Sequence, residues 1–342
     1  MSRALDTPPW ISVCIANYNG ESMLRDCLNS VYAQRGDFQM EVLLHDDAST
    51  DDSLALVRGE FPDVRVIESR ENVGFCISNN RMAEAARGRY LLLLNNDAVL
   101  RPGSLEALLR EARNAASPVV LGLPQYTQHD DSLIDRGYEF DLFMNPIPVF
   151  TAGVHEVATA TGACLWIPRN VWNAVGGFPP WFESIAEDIY LCQAARLLGY
   201  STHVLDAPGF DHWIGKNLGG GKVIDEKLKT TARRRALSER NKIAVMLLCY
   251  PAWALLILLP IHALLLGIEA SFLWLAGSGR GKVKRIYGAI LPSLWRHRED
   301  IGALRCKLRA QQKQSGWRFM RRFRWPPHKL RMLLRHGAPE IR

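Results

Sequence analysis

Residues 90–97 of the chain read YLLLLNND, an unbroken apolar run followed at once by three polar residues. A strand that is apolar at every position is typical of a parallel sheet covered by helices on both faces. In such sheets, ligands bind just outside the carboxyl ends of the strands. The stretch therefore predicts a buried strand over 90–94 and a polar, ligand-facing cluster formed by Asn95, Asn96 and Asp97.

Short apolar runs alternate with amphipathic stretches along most of the chain. The predicted strands cover residues 11–16, 41–44, 64–67, 90–94, 119–123 and 164–167. The predicted helices cover residues 23–33, 51–58, 75–86, 170–175 and 187–198. This alternation indicates an α/β fold with a mostly parallel sheet flanked by helices.

Charge is distributed unevenly over the 342 residues, whose formal net charge is +7. From Arg280 onwards there are 18 basic and 3 acidic residues, a net +15, whereas the preceding residues carry 24 basic and 32 acidic ones, a net −8. An acidic body with a basic tail fits this pattern better than a nucleic-acid-binding protein, which would be basic throughout. The hydrophobic content of 48% excludes disorder over the whole chain.

The seven cysteines are scattered and form no C-x-x-C pair, which excludes a zinc ribbon and a disulfide framework. We expect most of them to be buried thiols in a reducing compartment. The first ten residues contain no apolar core of a signal peptide. We therefore expect a cytosolic active part.

Polar clusters follow three of the predicted strands, at residues 17–20 (NYNG), 46–51 (DDASTD) and 95–97 (NND). The chain has no G-x-G-x-x-G after a strand, and the glycines at 219–221 before Lys222 lack P-loop spacing. Dinucleotide oxidoreductases and P-loop proteins are therefore disfavoured. A carboxylate after a buried strand can hold a divalent cation that in turn holds a diphosphate, and Asp97 is placed for that role.

Further motifs extend this pattern in a fixed order. They are ANYN at 16–19, DDASTD at 46–51, NVGF at 72–75 with Asn79 and Asn80, LNNDA at 94–98, TGA at 161–163, GGF at 176–178, EDIYL at 187–191 and HWIGK at 212–216. The ordered set, over about residues 10–216, resembles the inverting nucleotide-sugar glycosyltransferases of family 2. It is most similar to their bacterial rhamnosyltransferase-like branch, and it implies a GT-A fold.

The resemblance also implies roles for individual residues. Those expected near the base, ribose or other parts of the donor nucleotide are Ala16, Tyr18, Asp47, Asn72, Asn80 and Asn96. Those expected to hold Mg²⁺ or Mn²⁺ are Asp97, His212 and Asn95, with Asn95 standing where the family's D-x-D motif has its first acid. Asp188 matches the catalytic base, with Glu187 beside it. Those expected near the diphosphate or the acceptor are Lys216, Gly162 and Trp213.

The implied reaction transfers a sugar, rhamnose being favoured, from a dTDP- or UDP-sugar donor to a glycan or lipid-linked acceptor in cell-surface polysaccharide synthesis. No covalent nucleophile is needed, because an inverting transfer is a single displacement at the anomeric carbon. The loss of the first D-x-D acid keeps an alternative open. In that alternative, the chain is a membrane-bound, non-catalytic glycan- or nucleotide-binding protein with the same fold.

Residues 243–277 are almost uninterruptedly apolar, and Pro260 divides them into two stretches of 17 residues. Each is short for a membrane span of about 20 residues. We predict a hairpin that enters and leaves one leaflet, or two helices in the interface, with both ends cytosolic. The basic, aromatic-rich tail would then lie on anionic lipid at the cytoplasmic face of the cell membrane. A soluble homodimer that buries the run is the alternative.

These features predict three regions. Residues 1–242 form the transferase domain, with a nucleotide-binding half at about 10–115 and an acceptor half at about 116–216. Residues 243–277 form a membrane-associating segment, and residues 278–342 form a basic amphipathic tail.

Overall fold

The computed structural model describes residues 10–153, 155–213, 220–224, 227–275, 280–325, 328–329 and 340–341. Backbone contacts divide the chain into two compact units. The N-terminal unit comprises Met1–Tyr138, Pro148–Ala195 and Tyr200–Trp213. The C-terminal unit comprises Glu139–Ile147, Arg196–Gly199 and Ile214–Arg342.

The strands, in chain order, are β1 (Ile11–Asn17), β2 (Met40–Asp46), β3 (Arg65–Glu68), β4 (Tyr90–Asn95), β5 (Ala98–Leu100), β6 (Val120–Gly122), β7 (Gln125–Thr127), β8 (Leu133–Asp135), β9 (Tyr138–Phe140), β10 (Pro146–Pro148), β11 (Glu156–Val157), β12 (Cys164–Pro168), β13 (Thr202–Val204), β14 (Phe210–His212), β15 (Gly220–Ile224), β16 (Lys227–Thr230) and β17 (Glu340–Ile341). The helices are α1 (Glu21–Tyr32), α2 (Ser53–Glu60), α3 (Phe75–Ala85), α4 (Ser104–Asn114), α5 (Arg169–Val175), α6 (Glu187–Leu197), α7 (Ala232–Cys249), α8 (Ala252–Leu273), α9 (Arg280–Tyr287), α10 (Ile290–Arg296), α11 (Arg298–Ala310) and α12 (Gly316–Met320).

An eight-stranded sheet in the order β11-β13-β6-β12-β4-β1-β2-β3 forms the centre of the N-terminal unit. Strands β4, β1, β2 and β3 run parallel, and β12 runs antiparallel to both β4 and β6. The predicted α/β fold with helices beside a central sheet is therefore confirmed. Its parallel part is the half that carries the polar clusters.

Strand β4 lies inside this sheet, between β1 and β12, and Leu91, Leu92 and Leu93 are fully buried. Tyr90 stacks on Trp166 of β12, with ring centroids 4.9 Å apart. The continuous apolar run thus forms the buried strand that it predicts. Helix α4 was not predicted from the sequence, although its apolar residues Leu105 and Leu108 recur at helical spacing and are buried.

A smaller sheet in the order β5-β14-β7-β8 also belongs to the N-terminal unit. Strand β14 pairs antiparallel with β5, which places His212 opposite Ala98. Since Ala98 directly follows Asp97, this register brings two distant motifs of the sequence together.

The C-terminal unit contains the helices from α7 onwards. The prediction that Pro260 divides the apolar run is wrong, because Pro260 lies inside the continuous helix α8. The break occurs at Tyr250 and Pro251, where Tyr250 adopts an extended ψ of 142°. A residue that precedes proline disfavours the helical conformation, and proline at a helix start loses no helical hydrogen bond.

The first residues of the predicted membrane segment lie in α7, where Ala244, Val245, Met246 and Leu248 are fully buried. They therefore form part of a protein core. The exposed apolar residues of the run begin with α8, and positions 276–277 lie outside the described residues.

Candidate functional site

The carboxyl ends of β1, β2 and β4 are joined by a chain of buried hydrogen bonds. Asn17 Nδ2 donates to Asp46 Oδ1 at 3.0 Å. Asn17 Oδ1 accepts from Asn96 Nδ2 at 2.8 Å. All three side chains are at least nine-tenths buried. The polar clusters that follow the three strands therefore meet at one edge of the sheet, as predicted.

The loops after β1 and β2 interlock through their backbones. Ser49 Oγ accepts from the Asn19 amide at 2.9 Å, and Asn19 Oδ1 accepts from the Thr50 amide at 2.7 Å. Asp51 Oδ2 accepts from the Glu21 amide at 3.0 Å. Gly20 lies under this arrangement, and a Cβ there would be 2.1 Å from Asn96 Nδ2. The close approach of the Asn96 amide therefore requires glycine at position 20.

Asp47 fixes the loop that leads into α3. Its two carboxylate oxygens accept from the amides of Val73 and Gly74, at 2.7 and 2.8 Å. Asn72, the neighbouring residue, has an exposed side chain. Ala16, in β1, is half-buried, and the Tyr18 ring is 47% exposed. Asp47 and Asn72 thus belong to one corner of the strand-end edge.

Asn80 has both polar atoms of its amide engaged by the protein. Nδ2 donates to the carbonyl of Phe178 at 2.8 Å, and Oδ1 accepts from the amide of Phe178 at 2.9 Å. Asn80 therefore fastens α3 to the turn that follows α5.

A cavity of about 520 Å³ adjoins Val73. Its lining residues are Glu68, Ser69, Arg70, Glu71, Val73 and Arg81. Arg81 Nη1 donates to Ser69 Oγ at 3.1 Å and lies 3.2 Å from His45 Nε2. Burial lowers the pKa of His45, so the imidazole is held as a neutral acceptor for Arg81. Sequence reasoning missed Arg81, because it lies between motifs.

Asp97 and His212 form a close pair in the N-terminal unit. His212 Nε2 lies 3.0 Å from Asp97 Oδ1, and His212 Nδ1 lies 2.6 Å from Gln125 Nε2. The Trp213 amide donates to the Asp97 carbonyl at 3.1 Å. The direction of both contacts depends on the tautomer of the imidazole. With the proton on Nδ1, Gln125 would accept it through its amide oxygen, and Nε2 would present a lone pair to a cation.

The donor atoms around this pair fit a divalent cation bound together with a diphosphate. Asn95 Oδ1 is buried and has no hydrogen-bond partner among the described residues. Within the same part of the chain, no group of three or more His, Cys, Asp or Glu side chains could hold a metal alone. One carboxylate, one imidazole and one amide oxygen are enough where phosphate oxygens complete the coordination.

Asp188 and Glu187 begin helix α6. Asp188 Oδ2 accepts from the Gly162 amide at 3.0 Å, and Oδ1 accepts from the Ile189 amide at 2.7 Å. Gly162 approaches closely, since a Cβ there would be 3.2 Å from Asp188 Cβ. The structure thus joins the T-G-A and E-D-I-Y-L motifs through one hydrogen bond.

The loop before α6 has an unusual backbone. Glu183, Ile185 and Ala186 adopt left-handed φ values of 63°, 70° and 67°. Each such residue costs about 1–3 kcal/mol, and such conformations cluster at functional sites. The backbone is therefore strained directly before the candidate catalytic carboxylates.

Asp135 differs from the nearby carboxylates Asp130 and Asp131, which are exposed. Asp135 is fully buried in β8, where it accepts from Tyr138 Oη at 2.7 Å and from the Gly137 amide at 2.8 Å. Burial raises the pKa of Asp135 to about 6, and the hydrogen bonds from Tyr138 and Gly137 oppose this shift. In the sheet, Asp135 of β8 pairs with Gln125 of β7, the residue whose side chain contacts His212. Lys216 falls outside the described residues.

Residues 12–171 match the family model of glycosyl transferase family 2. Chondroitin synthase from Escherichia coli is 27% identical over 195 residues, which cover 56% of this chain and 27% of that protein. The succinoglycan biosynthesis protein ExoO from Rhizobium meliloti is 32% identical over 119 residues, or 34% of each chain. The chain spans less than two fifths of the length of the first curated relatives that it matches.

Solved structures show the same fold at low identity. GalNAc-T7 with UDP, GalNAc and Mn²⁺ covers 72% of this chain and 49% of its own, at 15% identity and a TM-score of 0.57. Residues 1–349 of TarS from S. aureus, in complex with UDP-GlcNAc, cover 91% of this chain and 89% of their own, at 18% identity and a TM-score of 0.54. Residues 12–171 are therefore similar to glycosyl transferase family 2, and the solved structures show that the chain has a GT-A-like fold.

Proposed function

We propose that the protein is an inverting glycosyltransferase that moves a sugar from a nucleoside diphosphate to a hydroxyl group of a growing cell-surface glycan. The pairing of Asp97 with His212 carries the proposal. These side chains are 115 residues apart in the chain and meet beside the end of β4 at 3.0 Å. A carboxylate and an imidazole at the carboxyl edge of a parallel sheet suit the recognition of a diphosphate.

The donor nucleotide would occupy the strand-end edge beside Asp47. Ala16, Tyr18 and Asn72 would line the base and ribose, and the exposed Tyr18 ring offers an aromatic face. Asn80 and Asn96 would support this site by positioning α3 and the end of β4, since both amides are engaged within the protein. A uracil or thymine base is favoured by the resemblance.

A divalent cation, Mg²⁺ or Mn²⁺, would be held by Asp97, His212 and Asn95. It would supply positive charge where the leaving diphosphate develops negative charge. Asn95 replaces a family acid, so Asp97 would carry the anionic share of this site. Lys216 and Trp213 would lie toward the diphosphate or the acceptor.

Asp188 would act as the general base. The acceptor hydroxyl would lie within about 2.6–3.2 Å of its carboxylate, which takes the proton as the oxygen attacks the anomeric carbon. The bond from that carbon to the diphosphate oxygen breaks in the same step, so the configuration inverts. The Gly162 amide orients Asp188, and Glu187 lies beside it at the start of α6.

A donor screen tests this function. Release of free nucleoside diphosphate is measured with dTDP-rhamnose, UDP-hexoses and GDP-mannose in the presence of glycan or lipid-linked acceptors. We expect release from a single donor class, rhamnose being favoured, and loss of release after EDTA treatment. Donor binding without release from any donor would favour the alternative, a non-catalytic binding protein, to which the neutral Asn95 points.

We also propose that the transferase domain covers residues 1–242, with a nucleotide-binding half at about 10–115 and an acceptor half at about 116–216. A segment within 243–277 and the basic tail at 278–342 would attach it to the cytoplasmic face of the membrane. Among the described residues, α8 is the one helix long and apolar enough to cross a bilayer, with a mean hydropathy of 2.1 over its most apolar window. Only 11% of that window is buried. Recovery of the full chain in the membrane fraction is the expected result of fractionation.

A further inference from the structure

Helix α8 is apolar on its exposed side as well as on its buried side, unlike a surface helix of a soluble protein. Its side turned toward the C-terminal unit carries Ala254, Leu258, His262, Leu266 and Leu273, which are buried at intervals of four or seven residues. Its exposed side is uncharged. The large exposed side chains of α8 and the two residues after it are Trp253, Leu256, Ile257, Ile261, Leu264, Leu265, Ile268, Phe272, Trp274 and Leu275.

The one charged residue of α8, Glu269, points toward the protein. It forms ion pairs with Arg235 of α7 and with Lys329, the latter at 2.5 Å. His262 lies flat against Phe143, with ring centroids 5.4 Å apart. The polar groups of α8 are thus used to hold it against the C-terminal unit. A helix that crossed the bilayer alone would have to carry Glu269 into the hydrocarbon, at a high cost.

Tryptophan side chains lie near both ends of the exposed side. Trp253 stacks on Trp317 at 4.5 Å, and both rings are exposed. Trp274, at the other end, lies 5.2 Å from the guanidinium of Arg280. Tryptophan rings and cationic side chains are typical of the headgroup region of a membrane.

The charge of the neighbouring segment discriminates between lipid and a second copy of the chain. The exposed cations of α9–α12 and their connections include Arg280, Lys284, Arg285, Arg296, Arg298, Lys307, Arg318, Arg321 and Arg324. The acidic residues of the same segment are Glu299 and Asp300. Two copies that met through α8 would bring like charges together, whereas an anionic lipid surface complements them.

We propose that α8 is a monotopic anchor that lies in the plane of an anionic membrane, with its uncharged side in the lipid and Glu269 docked on the C-terminal unit. This inference rests on the membrane attachment proposed above and deepens it by naming the lipid charge and the orientation of the helix. Both ends of α8 then lie on the same side of the bilayer, at headgroup depth.

Vesicle binding tests the lipid contact. The full chain is mixed with vesicles of phosphatidylcholine and phosphatidylglycerol, or of phosphatidylcholine alone, and sedimented. We expect binding to the anionic vesicles and an affinity lower by about tenfold for each of Leu264→Glu and Ile268→Glu. Phe150→Glu, at an exposed apolar residue of the N-terminal unit, is the matched control and should bind normally. Failure of the wild-type chain to bind, or equal binding of all variants, would overturn the proposal.

Labelling of single cysteines tests the orientation. Cys306 is exposed and the other six cysteines are buried, so Cys306→Ser provides the background. Ala252→Cys and Leu275→Cys are then added separately, and vesicle-bound protein is treated with a membrane-impermeant maleimide. Labelling of both ends is expected. Protection of one end until the vesicles are opened by detergent would show a spanning helix and would contradict the inference.

These outcomes are independent of the transferase reaction. Release of nucleoside diphosphate is measured on the same protein in detergent, where no bilayer is present. Loss of vesicle binding with normal release would refute the anchor alone. Normal vesicle binding without release would refute the proposed enzymatic function alone.

Discussion

Asp97 Oδ1 lies 3.0 Å from His212 Nε2, and Gln125 holds the other nitrogen of the same ring at 2.6 Å. The imidazole is therefore fixed on both sides, by Gln125 of β7 and by Asp97 in the turn between β4 and β5. The side chains of this site are therefore oriented before a ligand binds. Hydrogen-bonding neighbours commonly fix the orientation of metal-binding histidines in this way.

Replacement of Asp97 tests the cation site. Asp97→Asn keeps the size of the side chain but leaves no carboxylate among residues 95–97. We expect the Mn²⁺-dependent binding of the donor's nucleoside diphosphate to weaken by at least about tenfold, as measured by calorimetry with and without Mn²⁺. Asp130→Asn, at an exposed carboxylate, is the control. An unchanged metal dependence in Asp97→Asn would exclude this carboxylate as a ligand.

Replacement of Asp188 tests the base. Asp188→Asn removes basicity, while its amide oxygen can still accept from the Gly162 amide. We expect donor affinity within a few-fold of wild type and turnover lower by roughly 10²–10⁴, measured as release of nucleoside diphosphate. Glu187→Gln is the companion variant and should retain most turnover. The opposite ranking of the two variants would assign the base to Glu187.

Gly20→Ala tests the strand-end network. The new methyl group would lie 2.1 Å from Asn96 Nδ2 and 2.4 Å from Asn17 Oδ1, so the hydrogen bond between these amides must break. We expect a loss of about 1–3 kcal/mol in the free energy of unfolding, measured by urea titration, together with weaker donor binding. Gly59→Ala in α2 meets no atom within 4 Å and should be neutral or stabilising. Equal effects of the two substitutions would show that the hydrogen bond between Asn17 and Asn96 contributes nothing to stability or to donor binding.

Asp135 predicts a pH dependence of stability. Burial raises its pKa to about 6, above the value of about 3.9 in an unfolded chain. Between these values the folded protein retains the proton that the unfolded chain has lost, so stability falls as pH rises from about 4 to about 6. Asp135→Asn should remove this fall, which corresponds to roughly 2–3 kcal/mol, in urea titrations across that range. If the stability of Asp135→Asn fell with pH in the same way as that of the wild type, Asp135 would not be the group responsible.

Glu269→Ala tests the docking of α8. It leaves Arg235 and Lys329 without this partner in a largely buried position. We expect a loss of about 3 kcal/mol in the free energy of unfolding, because the buried Arg235 loses its ion-pair partner, whereas Lys329 keeps its pair with Glu239. Glu299→Ala removes the exposed pair with Arg298 and should cost less than about 1 kcal/mol. Similar losses of stability in both variants would show that the ion pairs of Glu269 contribute no more than an exposed pair does.

Local sequence patterns were sufficient for the parallel half of the fold. Strand β4 and the strands beside it follow from unbroken apolar runs, because burial on both faces leaves a signal in consecutive residues. The meeting of the polar clusters at Asn17, Asp46 and Asn96 follows from the direction of parallel strands. The pairing of Asp97 with His212 was implied only by the resemblance, since the β5–β14 register joins distant residues.

The features that the sequence did not predict correctly share a physical origin. The burial of Asp135 depends on tertiary surroundings that its neighbours in the sequence do not reveal. The continuation of α8 through Pro260 was missed because proline in a helix interior removes a backbone hydrogen bond and commonly ends or kinks the helix. Here the helix continues, with Pro260 on its exposed side. Arg81 and the cavity beside Val73 were missed because no motif contains the whole set of lining residues.

The interlocked loops after β1 and β2 have a consequence for how a donor would be selected. Their amides and side chains satisfy one another through hydrogen bonds of Asn19, Ser49 and Asp51. A nucleotide that binds at this edge would order little of the protein backbone. Its affinity would therefore not be reduced by a large loss of conformational entropy in these loops. Discrimination between bases and sugars then depends on the shape and polarity of a rigid surface, and related donors should differ in dissociation rate more than in association rate.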